Sequence, residues 1–93
     1  MDFEWDEAKD ISNFRKHTIR FRSATAVFND PARLVFEDER EDYGERRFIV
    51  MGLIGPRLYV VIFTERSGKI RIISARKGNE REKAVYGNRP LPT

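Results

Sequence analysis

The sequence predicts a single α+β domain: a small antiparallel β-sheet of about four strands, with two helices before it and one after. Three observations predict it. Runs rich in Val, Ile and Phe follow one another from residue 47 to residue 76, separated by short Gly-containing turns, which is the pattern of an antiparallel meander. Helical spacing of apolar residues is confined to the two ends of the chain. The whole chain has 93 residues, room for one core and no more.

The elements follow in order. Asp6 is placed to cap a helix whose apolar positions are Ala8, Ile11 and Phe14 and which ends near His17, with Trp5 packing back on its first turns. A second short helix fits Ser23 to Phe28, and Asn29-Asp30-Pro31 stops it. Leu34-Val35-Phe36 opens the first strand. The acidic run Glu37 to Asp42, with Tyr43-Gly44, reads as an exposed connection. Strands are expected over Arg47–Ile54, Leu58–Thr64 and Lys69–Arg76, turning at Gly55-Pro56 and Ser67-Gly68. Asn79 and Glu82 have the spacing of a capping box for a last helix that ends near Gly87. Pro90 and Pro92 make residues 88–93 an extended, loose tail.

Composition narrows the chemistry. There is no cysteine, which removes thiol nucleophiles, zinc–thiolate sites and disulfides and favours a reducing compartment; cytoplasm is the expected location. The single histidine, His17, rules out a multi-histidine metal centre. The glycines form neither a phosphate-binding loop nor a dinucleotide fingerprint, and the acidic run lacks the spacing of a calcium loop. No segment approaches the roughly 18 apolar residues of a membrane span, so no membrane partner is expected. Net charge is +3, unevenly spread: residues 1–45 hold seven Lys/Arg and twelve Asp/Glu, and residues 46–93 hold eleven and three. A cationic surface beside an anionic one is the expectation.

Strict alternation along Lys69–Arg76 puts Ile70, Ile72, Ser74 and Arg76 on one face, with Arg71 behind. Along the neighbouring strand Val60, Ile62, Thr64 and Arg66 share a face. Thr64, Arg66, Ser74 and Arg76 can therefore gather, with Arg46, Arg47 and Arg57 flanking. Arginine forks match phosphate oxygens in pairs and stabilise charge that develops on them. Tyr43, Tyr59 and Tyr86 are candidates to stack a base. His17 is the only histidine, the residue type suited to moving a proton near neutral pH, although at a helix C-terminus a protonated imidazole also simply complements the dipole.

Several blocks of the sequence are familiar in this order: Phe3-Glu4-Trp5-Asp6-Glu7-Ala8-Lys9, Asn13-Phe14-Arg15-Lys16-His17, Phe28-Asn29-Asp30-Pro31, Asp42-Tyr43-Gly44-Glu45-Arg46-Arg47, Phe63-Thr64-Glu65-Arg66 and Arg71-Ile72-Ile73-Ser74-Ala75-Arg76. Together they resemble the BrnT family of bacterial toxins over nearly the whole chain up to Tyr86. The resemblance implies a fold similar to RelE-type ribonucleases. It also implies a type II toxin that cleaves RNA and slows translation until a cognate BrnA-type antitoxin covers it, in a complex of two chains of each. DNA would be bound only through the antitoxin. Two departures stand out: Thr18 where a helix-ending glycine is usual, and a last helix whose cations are mainly Arg81 and Lys83.

The expected chemistry is metal-independent cleavage by the RNA 2′-hydroxyl, with no cofactor. Arg66 and Arg76 would grip one phosphate, and Thr64 and Ser74 would add hydrogen bonds. His17, Lys16, Glu45 and Tyr86 are the candidates for proton transfer. Arg46, Arg47, Arg71, Ser74 and Arg81 are the expected RNA-binding side chains. Two other readings use the same surface: a module that binds nucleic acid without cutting it, and a subunit that mainly docks an acidic antitoxin.

Overall fold

A computed structural model describes residues 1–88. The order is β1 (Phe3–Glu4), α1 (Glu7–His17), α2 (Phe21–Ala24), a 3-10 turn (Thr25–Asn29), β2 (Leu34–Asp38), β3 (Arg47–Ile54), β4 (Arg57–Arg66), β5 (Lys69–Lys77) and α3 (Glu80–Asn88). The class is α+β, with three helices. The sheet has five strands in the order β1-β5-β4-β3-β2, not four, and it is mixed, because β1 pairs parallel to β5. A two-residue strand gives no period to read, so only the long-range pairing of Phe3 with Ile70 and Glu4 with Arg71 reveals it. The predicted tail lies outside the described residues from 89 onward.

The caps and turns follow local chemistry. Asp6 accepts a hydrogen bond from the Lys9 amide, and Asn79 and Glu82 cap each other's amides reciprocally at α3. Thr18 takes the left-handed conformation (φ 61°) that closes α1, strained for a branched residue but anchored by its amide bonding to the Phe14 carbonyl. Ser67 and Gly68 both take positive φ, as a two-residue hairpin turn requires. The second helix starts earlier than predicted and tightens into the 3-10 turn. Asp10, buried beneath it, accepts the Phe21 amide and pairs with Arg20, so its start is set from α1 and not from local sequence.

One face of the sheet is covered by α1, α2 and the 3-10 turn. Phe21, Val27, Val50, Val61, Ile72 and Ala75 form its buried centre, with Phe28 edge-on to Phe63 and Trp5 edge-on to Phe21. Gly52 is needed there: a β-carbon would sit 2.8 Å from the Val27 carbonyl oxygen, so any side chain would push the 3-10 turn off the sheet. Asn13 docks α1 onto β5. Its amide nitrogen donates to the carbonyls of Ile19 and Ala75, and its oxygen accepts the Ala75 amide. The other face carries α3 at one end, where Tyr86 packs against Met51, Leu58 and Val60. The rest of that face is open.

Candidate nucleic-acid interface

The open face is built in transverse rows by strand register. Asp38 on β2 pairs with Arg47 on β3; Arg47, one residue before the Phe48–Phe63 pair, stands level with Thr64 on β4; Thr64 pairs with Arg71 on β5, and Arg71 with Glu4 on β1. This polar row spans all five strands. The next row along the strands is Phe36, Ile49, Ile62 and Ser74, and the one after it Leu34, Met51, Val60 and Arg76.

Arg71 belongs to this face because β5 does not alternate strictly. Ile62 pairs with Ser74, yet its neighbour Phe63 pairs with Ile72, leaving Ile73 without a partner. Such a bulge inserts one residue and reverses the faces beyond it. Ile70 and Ile72 consequently turn into the core, while Arg71, Ser74 and Arg76 face outward together. The predicted grouping of Ile70 and Ile72 with Ser74 and Arg76 is corrected accordingly.

A second correction concerns Arg66 and Arg76. They share the face but not a position. Arg76 pairs with Val60, six residues along β4 from Arg66, or about 20 Å at strand rise. Each is held by its own carboxylate. Arg76 makes a two-pronged ion pair with Glu82 of α3, both contacts at 2.7 Å, and Arg66 pairs with Glu45 at 3.1 Å. The expected joint grip on one phosphate does not exist in this arrangement.

What converges instead is Arg47 with Arg66. Glu45 accepts from the Arg47 Nε and from Arg66, bridging the two guanidinium groups. The Arg47 hydrogen bond chiefly, aided by that of Arg66, holds the Glu45 carboxyl below its ordinary range against the opposing effect of burial. Each arginine gives Glu45 a single N–H, so most of the five donors of each fork remain for an anion. The Arg47 guanidinium carbon lies over the Tyr43 ring, 4.2 Å from its centroid, and the Tyr43 hydroxyl donates to Asp38. Asp38 is only 5% exposed and receives a two-pronged bond from Arg40, whose hydrogen bonds hold its carboxyl far below the usual range. The acidic run is therefore not a solvated loop throughout: Glu37 and Asp38 finish β2, and Asp38 orders the turn after it.

The remaining candidates are dispersed. Thr64 is buried and its hydroxyl donates to the Arg46 carbonyl, tying β4 to the start of β3. Arg46 itself turns to the opposite side, onto Glu37 and the Phe48 ring. Arg71 is paired with Glu4 at 2.7 Å. Lys16 and His17 line a shallow cavity of about 190 Å³ with Ile73 and Ser74, at the β5 edge that β1 leaves uncovered. Tyr86 donates its hydroxyl to Asp30 and lies under α3, away from Glu45. Tyr59 packs against the main core and offers no stacking platform on the open face. Arg81 makes no ion pair among the described residues and lines a groove with Arg76 and Glu82. Residue reading missed Asp38, Arg40 and Glu82. Of these Asp38 left a trace in the sequence, two residues beyond Phe36 and so on the same strand face, and Glu82 was legible only as a capping-box residue, not as the partner of Arg76.

No three His, Asp or Glu side chains among the described residues are grouped to hold a metal ion, and no helix among them is long and apolar enough to cross a membrane. Fold and surface together define a small α+β protein whose open sheet face carries two arginines bridged by one carboxylate. A family model, that of the ribonuclease toxin BrnT of type II toxin–antitoxin systems, matches residues 5–82, and the chain belongs to this family. A search of curated proteins finds no match.

Proposed function

We propose that this toxin cuts RNA at the Arg47–Arg66 cluster without a metal ion. The observation that carries the reading is the pair of guanidinium groups held side by side by Glu45, with Arg71 in the same transverse row on β5, across Thr64 from Arg47. A phosphate bound there meets two forks with unused donors, and the charge that grows on its oxygens is stabilised as the RNA 2′-oxygen attacks. The bond from phosphorus to the 5′-oxygen breaks, a 2′,3′-cyclic phosphate forms, and one proton leaves the 2′-hydroxyl while another reaches the leaving oxygen. Glu45 is a poor base for this, because its lowered pKa makes it a weak proton acceptor at neutral pH. Tyr86 is tied to Asp30 beneath α3. His17 and Lys16 stand beside Ser74, which pairs with Ile62 four residues along β4 from Arg66, beyond hydrogen-bond reach of a phosphate at the cluster, so both protons are exchanged with solvent water. Metal independence is supported by the commitment of the open-face carboxylates Glu45, Asp38 and Glu82 to arginines.

The partner on this reading is a cognate BrnA-type antitoxin, two toxins with two antitoxins, which covers the open face and alone contacts DNA. The free toxin acts in the cytoplasm and slows translation. The test is cleavage of RNA in EDTA by wild type and by Arg66→Ala and Arg47→Ala variants that remain folded. Cyclic phosphate ends from wild type and strongly reduced rates in both variants are expected. Wild-type rates in both, or loss of cleavage in EDTA, would overturn the assignment. Simultaneous binding of RNA and antitoxin with undiminished affinities would remove occlusion.

A further inference from the structure

Beside the polar row the open face turns apolar. Phe36, Ile49 and Ile62 of the second row, with Met51 and Val60 behind them and Val85 of α3 as one wall, line a groove of about 550 Å³. Phe36 is 45% exposed and Val85 51%, so both present carbon to solvent at this groove. The rim is cationic: Arg40, Arg76 and Arg81 line the same groove. Arg81 has no ion pair among the described residues, and Arg40 and Arg76 each spread their charge over a single carboxylate. The groove begins one strand pair from Thr64, next to Arg47 and Arg71.

An apolar floor with an aromatic side, continuous with an arginine cluster and rimmed by cations, matches a nucleotide turned on its side. The flat base lies on carbon and the phosphates on either side meet guanidinium groups. We propose that this groove is a nucleobase subsite, which takes one or two unstacked bases of the RNA strand held at the Arg47–Arg66 cluster, with Phe36 as the stacking surface. The proposal rests on the RNA reading above and deepens it. A base inside a duplex is paired and stacked and does not reach such a floor, so the subsite selects unpaired RNA. An acidic partner helix is the competing occupant. The arginine rim alone would suit both, but the short groove closed on one side by α3 fits a base better than several turns of helix.

The experiment compares binding of two uncleavable probes of equal length by fluorescence anisotropy: a 2′-O-methyl oligonucleotide and its fully abasic backbone. Wild type is expected to bind the intact probe about tenfold or more better, and to keep that preference at raised salt, where backbone attraction fades. In the Phe36→Ser/Val85→Ser variant, whose two sites are both exposed, the preference is expected to vanish while abasic binding stays unchanged. Equal binding of both probes by wild type overturns the subsite and leaves the cleavage reading standing. So does a double variant that keeps the preference yet loses the antitoxin, which would assign the groove to the protein partner. Failure of wild type to bind either probe, with no RNA cleavage, overturns both readings.

Discussion

Replacing Asn13 by alanine should nearly halve the stability of this protein while leaving the Arg47–Glu45–Arg66 contacts in place. The side chain is 7% exposed and makes three hydrogen bonds, two of them to Ala75 on β5 and one to Ile19 beyond the end of α1. Alanine leaves the Ala75 N–H and C=O facing a small void, with no strand beyond, because β1 pairs only with Ile70 and Arg71. A buried polar group left without a partner costs about 1–3 kcal/mol, so two of them put the loss at roughly 2–6 kcal/mol. A chain of this size has a total of roughly 5–14 kcal/mol at ~0.05–0.15 kcal/mol per residue. Urea titration followed by tryptophan fluorescence reads the change directly, as a lowered midpoint with an unchanged slope, since the same surface is exposed on unfolding. Amide exchange at Ala75 should accelerate ahead of the rest of β5. Asn13→Asp keeps the acceptor to the Ala75 amide but loses both donors, so it should recover little. A midpoint shift equivalent to less than about 0.5 kcal/mol would refute the idea that Asn13 fastens α1 to the sheet.

Three further outcomes follow from the same contacts. Arg66→Ala should lower RNA cleavage by about 10²–10³-fold and reduce the slope of log affinity against log salt by about 0.7; an unchanged slope would mean that Arg66 touches no phosphate. Glu82→Gln keeps an acceptor for the Asn79 amide but loosens Arg76, so RNA affinity should rise and its salt dependence steepen, as read by anisotropy; unaltered binding would place Arg76 outside the RNA path. Asp10 has its pKa lowered, first by the Arg20 hydrogen bond, so its contribution to stability is present above the ordinary carboxylate pKa and is lost as pH falls through the folded value. Wild type should therefore lose thermal stability below about pH 4 more steeply than Asp10→Asn, and parallel curves would show that another carboxylate dominates.

Local chemistry alone determined a great deal. Asp6, Asn79 and Glu82 marked helix starts because a side-chain oxygen two or three residues ahead of bare amides is a contact within one turn. Gly55 and Ser67-Gly68 marked the hairpins because positive φ is a property of the residue. The strands β3, β4 and β5 were legible from their apolar runs, and family membership from ordered blocks that, apart from Phe3 and Glu4, fall within the match over residues 5–82. Tertiary structure decided the rest, for one physical reason: each missed feature depends on a partner distant in the chain. The unpaired Ile73 exists only relative to the register of β4, and it alone moves Arg71 to the open face. Two-residue β1 is a strand only because β5 lies beside it. Arg66 and Arg76 look equivalent in sequence, but antiparallel pairing sets Arg76 beside Val60, six residues along β4 from Arg66, and Glu45 and Glu82 then bind one each. Sequence named the arginines; which of them stand together was settled by register and ion pairing.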